Sequence, residues 1–483
     1  MPTPAQLRRD ALQIWRAGVD AVLPQRLVPQ CLRIERQSLV IGDDAIPLDS
    51  IRRIVVVGAG KAGAGMAEAI ETALGPKLMA EKQLAGWVNV PTDCVRPLQR
   101  IHLHAARPAG VNEPTAEGVA GSMEILRLVE SLGPDDLCLC LISGGGSALM
   151  PAPVEGITLA DKLAVTRHLS AAGANIEQLN TVRKQLSRIK GGGLLRACRA
   201  GRLVSLIISD VLGDPLDIIA SGPTVPDAST PQAALDVLEE FGARKANIAT
   251  AAIEYLEKAA NSRGPTACGA AGEESDSVLD GTDRGPLAPG YFRSCSNDDG
   301  ASHSRVTNVI LANNATAVAA AAEEAKRLGY SVAAESATHS EGQAEEVGRD
   351  LAERALKMYA DFGPTCFISG GEPVVKLVES SRRGLGGRNQ QLVLAALLRL
   401  FDDGAKGIAL LSGGTDGEDG PTDAAGAFLD ADLLAAARRM NLDPADCLAR
   451  NDAYRFFEPL GALIKTGPTH TNVCDVRVVL TAR

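Results

Sequence analysis

Three short apolar runs in this chain each end in a glycine-rich loop whose polar residues could bind an anion. The first loop, GAGKAG, contains Gly60 and Lys61, and the third, SGGTDG, contains Asp416. The second loop is the run SGGGS, made of Ser143, Gly144, Gly145, Gly146 and Ser147. A strand that ends in glycines exposes backbone N–H groups at the carboxyl edge of a sheet, where phosphates and carboxylates can bind. The pattern predicts an enzyme that acts on small anionic substrates.

The first loop has the Gly-x-Gly-x-x-Gly spacing of dinucleotide-binding proteins, at Gly58, Gly60 and Gly63. This spacing alone is a weak signal. Lys61 would place an ammonium group in the same turn, and a point charge there suits a phosphoryl group or a small carboxylate better than a dinucleotide. A tight strand-to-helix turn with a solvated lysine stays open as the plainer interpretation.

The SGGGS loop lacks the Gly-Lys-Ser/Thr ending of the P-loop NTPases, so that class is excluded as a motif match. Three consecutive glycines, Gly144 to Gly146, lose much conformational entropy on folding. A plain turn rarely needs them, and we therefore expect a ligand to approach this backbone closely.

A third group of polar residues recurs at steps of three and four. It comprises Asn180, Arg183, Lys184, Ser187 and Lys190 and runs into a second glycine triplet. On a helix several of these side chains would share one face. Such a face is either a solvated surface or an anion site, and the sequence leaves both interpretations open, with Asn180, Lys184 and Lys190 as candidate ligands.

Further candidate carboxylates stand after one more apolar run and among the glycines of the second half. Asp210 comes directly after LVSLIIS, at the place where α/β enzymes carry a metal ligand or a general base. In the second half, Glu372, Arg388, Asn389 and Asp416 stand among glycines. Asp210 and Asp416 are the candidate metal ligands. The histidines are isolated, and none stands in a metal or nucleophile motif.

The elements that must position these residues follow an α/β pattern. From residue 51 to about 242, apolar runs alternate with helical segments, which predicts a doubly wound, mostly parallel Rossmann-like sheet. After it we expect a Gly/Ser/Asp-rich flexible insert and a second α/β domain. A hairpin in GEPVVKLVESSRRGLGGRNQ would make the second sheet mixed. The proposed domains are residues 1–261, 262–304 and 305–483, with an amphipathic helix at the N-terminus.

Composition excludes several classes of protein. The chain has 483 residues, 45% of them hydrophobic, and a formal net charge of −10 without a Lys/Arg cluster, so no nucleic-acid partner is expected. No apolar run approaches the ~20 residues that a membrane span needs. Ten scattered cysteines without metal-ligand spacing are typical of reduced thiols. These features favour a cytoplasmic enzyme.

Taken together, the longest sequence blocks resemble the class II glycerate kinase family, also known as hydroxypyruvate reductase. The blocks are VVGAGKAGAGMA, LISGGGSALM, LNTVRKQLSRIKGGGL, LIISDVLGDPLDIIASGPT, GGEP, GGRNQQ and LLSGGTDGEDGPTDAAGA, in one order along most of the chain outside the insert. Two positions depart from the family pattern. His470 stands where glycine is common, and Arg107 stands where histidine is common.

The resemblance implies two α/β domains with the active site in the cleft between them. It implies ATP-dependent phosphorylation of D-glycerate, in most members at the 2-hydroxyl, with Lys61 and Arg388 as catalytic residues. We expect Asp210 to bind Mg²⁺ or accept the hydroxyl proton, and the SGGGS loop to hold an anion. An NAD(P)H-dependent hydroxypyruvate reductase and a non-catalytic sugar-acid binding protein stay open as alternatives, and so does a homodimer.

Overall fold

The computed structural model describes residues 2–108, 110–111, 113–248, 250–262, 305–360 and 365–482, and the backbone of 293–297. The elements of the first half are α1 (Pro4–Ala21), α2 (Pro24–Cys31), β1 (Leu32–Glu35), β2 (Ser38–Ile41), β3 (Asp44–Pro47), β4 (Ile54–Ala59), α3 (Gly63–Glu81), β5 (Ala85–Pro91), β6 (Ile101–Arg107), α4 (Ala116–Glu130), β7 (Leu137–Ile142), α5 (Gly146–Leu149), α6 (Leu159–Ala171), α7 (Ile176–Gln185), α8 (Gly193–Ala197), β8 (Arg202–Ile208), α9 (Pro231–Glu240) and α10 (Thr250–Ser262). The second half contains β9 (Arg293–Asn297), β10 (Arg305–Ala312), α11 (Asn314–Arg327), β11 (Val332–Ser336), α12 (Ala344–Ala360), β12 (Cys366–Gly371), α13 (Arg388–Arg399), β13 (Ile408–Gly414), β14 (Gly426–Asp430), α14 (Ala431–Arg439), α15 (Pro444–Ala449), α16 (Ala453–Phe457), β15 (Leu463–Ile464) and β16 (Asp475–Thr481).

The first large sheet has the strand order β6-β5-β4-β7-β8-β10-β9. Its strands are parallel except β9, which pairs antiparallel with β10 at the edge. Every residue of β4 and β7 is buried. This pattern is typical of central parallel strands, because the crossover helices cover both faces of the sheet. A small antiparallel sheet, β1-β2-β3, stands beside it.

The second large sheet has the order β11-β12-β16-β13-β14-β15 and is mixed. Its last long strand, β16, inserts antiparallel between β12 and β13. The two sheets together confirm the predicted fold class of two different α/β units. The reason for the mixed sheet differs from the expected one, because the antiparallel pairs come from the returning strand β16 and from β14, which pairs antiparallel with β13 and β15.

The hairpin expected in GEPVVKLVESSRRGLGGRNQ is wrong. Between Gly371, where β12 ends, and Arg388, where α13 begins, the chain contains no strand and makes a single isolated bridge, between Val374 and Gln343. Two of the apolar side chains in this segment cover no core face, since Val374 is 56% exposed and Leu377 is 57% exposed. A strand pair without a buried face gains too little apolar burial to persist.

Two elements of the chain associate with the sheet of the other proposed domain. The helix α1 packs on β13 and β16 of the second sheet, and β10 pairs with β8 in the first. The flexible insert proposed for residues 262–304 lies outside the described residues, apart from Ser262 and the strand β9. The domain division therefore stays a proposal, with α1 and β10 as the elements that join the two units.

The predicted N-terminal amphipathic helix is confirmed as α1. Thr3 caps it by accepting a hydrogen bond from the Gln6 N–H group, and Pro4 stands at the first helical position, which needs no donor. Its apolar face includes Trp15, which is 1% exposed and donates its indole N–H to the Gly413 carbonyl at 3.1 Å. The first helix of the chain is thereby fixed to the carboxyl end of β13.

None of the helices that the structure describes is long and apolar enough to cross a membrane. The cysteine side chains in the described residues are all free thiols.

We expect Trp15→Ala to lower the free energy of unfolding by about 3–5 kcal/mol, because it empties a large buried site. Urea unfolding of the purified chain measures the change. Trp15→Phe is the matched control, since it keeps most of the apolar volume and loses the N–H donor. A loss below about 1 kcal/mol for Trp15→Ala would show that α1 is not fixed to the second sheet in solution.

Candidate active site between the two sheets

Lys61 lies in the turn between β4 and α3 and points across to the second sheet. Its ammonium group donates to Asp416 Oδ2 at 2.7 Å and to Glu418 Oε2 at 2.6 Å, both in the loop after β13. Burial by itself would lower the pKa of Lys61, but the two carboxylates outweigh it and hold that pKa above its ordinary value. The first and third glycine loops are therefore joined by two ion pairs of Lys61, one with Asp416 and one with Glu418.

The backbone N–H groups of the first loop are engaged within the protein. Gly60 donates to the Asn89 carbonyl at 3.2 Å, Lys61 to the Gly144 carbonyl at 2.9 Å and Ala62 to Ser143 Oγ at 3.0 Å. Gly60 has φ of +148°, and a Cβ there would lie 2.0 Å from Ser143 Oγ. Glycine at this position lets the first two loops touch, and this gives no support to a dinucleotide pyrophosphate on these N–H groups.

The SGGGS loop, by contrast, offers free donors. Among the described residues, the N–H groups of Gly144, Gly145 and Ser147 donate no hydrogen bond. The glycines also have a packing reason, since a Cβ at Gly144 would lie 2.3 Å from Asp210 Oδ2 and 2.2 Å from Asn472 Nδ2. We expected a ligand to approach this backbone closely, and at Gly144 the side chains of Asp210 and Asn472 do so instead. The free N–H groups of the loop remain available to bind an anion.

Asp210 follows β8 and lies between the two units. Asn472 donates to its Oδ2 at 2.9 Å, and the Cys474 thiol donates to its carbonyl at 2.8 Å. Burial, together with the charge of Glu372, raises the pKa of Asp210 to about 7. A carboxyl group near neutrality can take up or release a proton at physiological pH.

Arg388 is the first residue of α13 and is held by two carboxylates. It donates to Asp475 through Nε at 2.7 Å and Nη2 at 3.0 Å, and to Glu372 Oε1 through Nη1 at 2.7 Å. Burial alone would lower the Arg388 pKa, but the Asp475 and Glu372 charges keep it well above its ordinary value. The fork geometry of a guanidinium matches this bidentate contact.

Asn389 acts inside the second unit and does not face the first. Its Nδ2 donates to Asp475 Oδ1 at 2.9 Å, and its Oδ1 accepts the Ser412 hydroxyl. The Asp419 carboxylate accepts the N–H groups of Asn389 and Gln390 at 3.0 and 2.8 Å and so caps α13. The cap and the Asn389 amide fix the positions of Arg388 and Asp475.

The polar series from Asn180 to Lys190 does not share one helix face, because α7 ends at Gln185. Asn180 accepts the Ser221 hydroxyl at 3.3 Å, and Lys184 lies 3.3 Å from Asp217 and 3.4 Å from Asp227. Lys190 stands in the turn after the helix and donates to the carbonyl and hydroxyl oxygens of Ser147 at 2.9 and 2.5 Å. Lys190 therefore reaches the SGGGS loop, while Lys184 serves an internal ion pair.

The segment from Asn472 to Asp475 was missed as a source of site residues, and so was Glu418. Asp475 pairs with Gly371 of β12 and with Gly414 of β13. Because β16 is antiparallel to both, its first residue lies at their carboxyl edge. In the sequence, Asp475 stands at the start of an apolar run. This position identifies a site residue only when the strand order of the sheet is known.

Both departures from the family pattern have a visible structural setting. His470 has φ of +61°, a left-handed conformation that glycine adopts freely and other residues adopt at a cost. Arg107, at the end of β6, is 3% exposed, and its Nε has no partner among the described residues. A Cβ at Gly145 would lie 3.1 Å from Arg107 Nη2, which places the guanidinium beside the SGGGS loop.

In the described parts of the chain, no three Asp, Glu, His or Cys side chains group as a metal centre. The two predicted ligands, Asp210 and Asp416, nevertheless lie in one electrostatic environment, because the charge of Asp416 contributes to the raised pKa of Asp210.

Comparison with known proteins relates this arrangement to a family. Residues 10–257 match the domain of unknown function DUF4147, and residues 365–475 match the MOFRL family. The chain is 35% identical to a Bos taurus protein named Glycerate kinase, over 98% of this chain and 93% of the relative. It is 33% identical to D-glycerate 2-kinase of Thermotoga maritima over 99% of each, and 37% identical to an Agrobacterium vitis protein named as a hydroxypyruvate reductase, over 89% and 99%. The crystal structure of a Thermotoga maritima glycerate kinase aligns with a TM-score of 0.75 at 32% identity, over 99% of each chain.

The fold and the site define an α/β protein in which the carboxyl edges of two sheets meet around a lysine, an arginine and several carboxylates. The chain belongs to the class II glycerate kinase family, as the sequence blocks predicted.

The raised pKa of Asp210 predicts a pH dependence of stability. A carboxyl group whose pKa is higher in the folded state contributes stability below its unfolded pKa, and this contribution is lost as the pH rises through about 7. Between pH 5 and pH 8 the free energy of unfolding should fall by about 2 kcal/mol more in the wild type than in Asp210→Asn. Urea unfolding across this range measures it.

Asp236→Asn, which changes an exposed carboxyl group on α9, is the control and should keep the wild-type slope. Burial also raises the pKa of Asp419 to about 7. Because Asp419 is present in the wild type and in both variants, its contribution cancels when their slopes are compared. Equal slopes for wild type and Asp210→Asn would show that Asp210 is ionised throughout this range.

Proposed function

We propose that this protein catalyses the ATP-dependent phosphorylation of D-glycerate at its 2-hydroxyl, which gives 2-phosphoglycerate and ADP. The observation that carries the proposal is the contact of Lys61 with Asp416 and Glu418, beside a loop with free N–H groups. Phosphoryl transfer needs positioning and positive charge around the γ-phosphoryl group, with little covalent chemistry from the protein. The relatives named glycerate kinase support the same substrate and reaction.

Each side chain has a role in this reaction that follows from its surroundings. Lys61 binds the transferring phosphoryl group or the glycerate carboxylate, exchanging one of its carboxylate partners for the anion. Arg388, oriented by Asp475 and Glu372, stabilises charge in the transition state from the second unit. Asp210 accepts the proton of the 2-hydroxyl as its oxygen attacks the γ-phosphorus and ADP leaves, a role that suits a pKa of about 7.

The donor set also fits Mg²⁺. Mg²⁺ binds proteins through one or two carboxylates together with substrate phosphates, and Asp416 and Asp210 would offer carboxylate oxygens in one environment. For Asp210 this role is the alternative to accepting the proton, because a bound cation would lower its pKa. Bound there, the ion would neutralise charge on the phosphate oxygens. The negative charge of Glu372 and Asp416 that raises the pKa of Asp210 is the observation that favours a cation at this place.

The reductase alternative is not favoured, because the N–H groups of the GxGxxG turn are engaged within the protein. No observation favours a non-catalytic binding protein over the enzyme. We expect the enzyme to act in the cytoplasm, and the free thiols of the described cysteines support a reducing compartment.

The direct test is incubation with ATP, Mg²⁺ and D-glycerate, followed by phosphorus NMR. We expect the 2-phosphoglycerate signal to grow with ADP. Formation of 3-phosphoglycerate would contradict the proposed position of phosphoryl transfer. Oxidation of NADH by hydroxypyruvate in the absence of ATP would instead support the reductase.

Lys61→Ala should lower kcat by about 10²-fold or more, because it removes a preorganised charge at the reacting phosphoryl group. Steady-state kinetics and a thermal melt of the same preparation separate activity from folding. Lys326→Ala is the matched control, since Lys326 pairs with Glu323 on the exposed face of α11. Near-normal kcat in Lys61→Ala would remove Lys61 from the catalytic residues.

Arg388→Lys should keep the charge and the fold and still lose most of the turnover, about 10²-fold, because an ammonium group cannot reproduce the bidentate fork to Asp475. Calorimetric titration with ATP should show little change in affinity. If kcat/KM stays at the wild-type value, or if ATP affinity falls with it, Arg388 is a structural or nucleotide-binding residue.

A further inference from the structure

Three cations lie near one another in the first unit, and one of them, Lys190, contacts the SGGGS loop at Ser147. They are Lys162 of α6, Arg183 of α7 and Lys190 of the turn after α7, named here the basic cluster. Their charges are close enough to depress one another's ionisation, since Lys162 and Arg183 both contribute to the lowered pKa of Lys190. The cluster stands inside an acidic chain, whose formal net charge is −10.

The side chains of the basic cluster have few protein partners. Lys190 is 5% exposed and uses two of its three N–H donors on Ser147, and Lys162 donates to the Leu186 carbonyl at 2.9 Å. The Arg183 guanidinium makes no hydrogen bond with the residues that the structure describes. Within that same part of the chain, no carboxylate oxygen lies within 4.0 Å of any of the three.

The neighbouring Lys184 shows what a structural lysine looks like at this place. It lies 3.3 Å from Asp217 and 3.4 Å from Asp227, so its buried charge is compensated within the protein. A buried cation without a counter-charge is costly, and burial indeed lowers the pKa of Lys162 to about 7. The basic cluster therefore lacks the anions that would normally accompany it.

The free N–H groups of the SGGGS loop point to the kind of anion. Gly144, Gly145 and Ser147 offer three backbone donors, and Lys190 contacts the loop at Ser147. The Lys61 N–H group is bonded to the Gly144 carbonyl at the other end. Ser143 and Ser147 can be at most about 14 Å apart, so one extended anion can follow the loop between the two lysines.

We propose that the basic cluster and the free N–H groups of the SGGGS loop bind the polyphosphate chain of the nucleoside triphosphate, with its terminal phosphoryl group towards Lys61. Three cations and three donors exceed what a single carboxylate such as that of glycerate requires. The identity of the nucleotide rests on the proposed function, whereas the affinity for polyphosphate does not.

Lys190→Met and Arg183→Gln test the proposal by calorimetric titration with ATP and, separately, with inorganic tripolyphosphate, both without D-glycerate. Each variant should weaken both affinities by about 10- to 100-fold, the effect of losing one charge-assisted contact. Arg167→Gln, on the same helix as Lys162, is the matched control, because Arg167 pairs with Glu113 at the surface. It should leave both affinities unchanged.

Thermal melts without ligand provide a second measurement. Lys190→Met should melt at or above the wild-type temperature, because it removes an uncompensated buried charge. If Lys190→Met does not fold, Arg183→Gln still allows the test, because Arg183 is only partly buried. Wild-type affinity for ATP and tripolyphosphate in both variants overturns the proposal, and so does a loss confined to the KM for D-glycerate.

The outcome is distinguishable from that of the proposed function. Tripolyphosphate binding that the variants weaken, in a protein that does not phosphorylate D-glycerate, would support the basic cluster and reject the kinase. Phosphorylation of D-glycerate with unweakened ATP affinity in both variants would reject the basic cluster and support the kinase.

Discussion

The pairing of Lys61 with Asp416 and Glu418 is the contact on which the arrangement of the site depends. It joins the turn after β4 to the loop after β13, more than three hundred residues later in the chain. Burying an ammonium group without a counter-charge is costly, and the carboxylates of the second unit stabilise the charged form of Lys61. Substrate binding at Lys61 must therefore exchange one set of anionic partners for another.

Charge is divided unequally between the two sides of the site. The first unit contributes cations and free N–H groups, at Lys61, at the SGGGS loop and at the basic cluster. The second contributes carboxylates, with Arg388 enclosed by Asp475 and Glu372. Asp210 is the exception, a carboxyl group of the first unit whose pKa is raised by burial and by the acidic residues opposite. This division suits a phosphoryl transfer, in which an anionic phosphoryl donor and the hydroxyl group of the acceptor must be brought together.

The two units are also joined by elements from one part of the sequence that pack on the sheet formed by the other part. The first helix packs on the second sheet through Trp15, and the strand β10 extends the first sheet although it follows α10 and the residues after it. The strand β16 brings Asp475 to the edge that carries Glu372 and Asp416. Site geometry is thus coupled to the packing of the chain's two ends.

The sequence by itself determined the local features of this protein. Apolar runs that end in glycines predicted β4, β7 and β13, and the run before Asp210 predicted β8; parallel alternation places the residues after such strands at one edge. Lys61, Ser143, Asp210 and Asp416 could therefore be chosen without coordinates. Arg388 was also singled out from the sequence, and the family resemblance, carried by long contiguous blocks, added its catalytic role and the reaction.

Only the tertiary structure decided which charges pair. Asp475 becomes the partner of Arg388 because β16 runs antiparallel between β12 and β13, and no local pattern encodes that strand order. The same reason hid the contact of Lys61 with Glu418, the packing of α1 on the second sheet, and the difference between paired Lys184 and unpaired Lys190. Sequence periodicity reports which face of an element is buried, whereas ion pairs and sheet order depend on contacts between residues far apart in the chain.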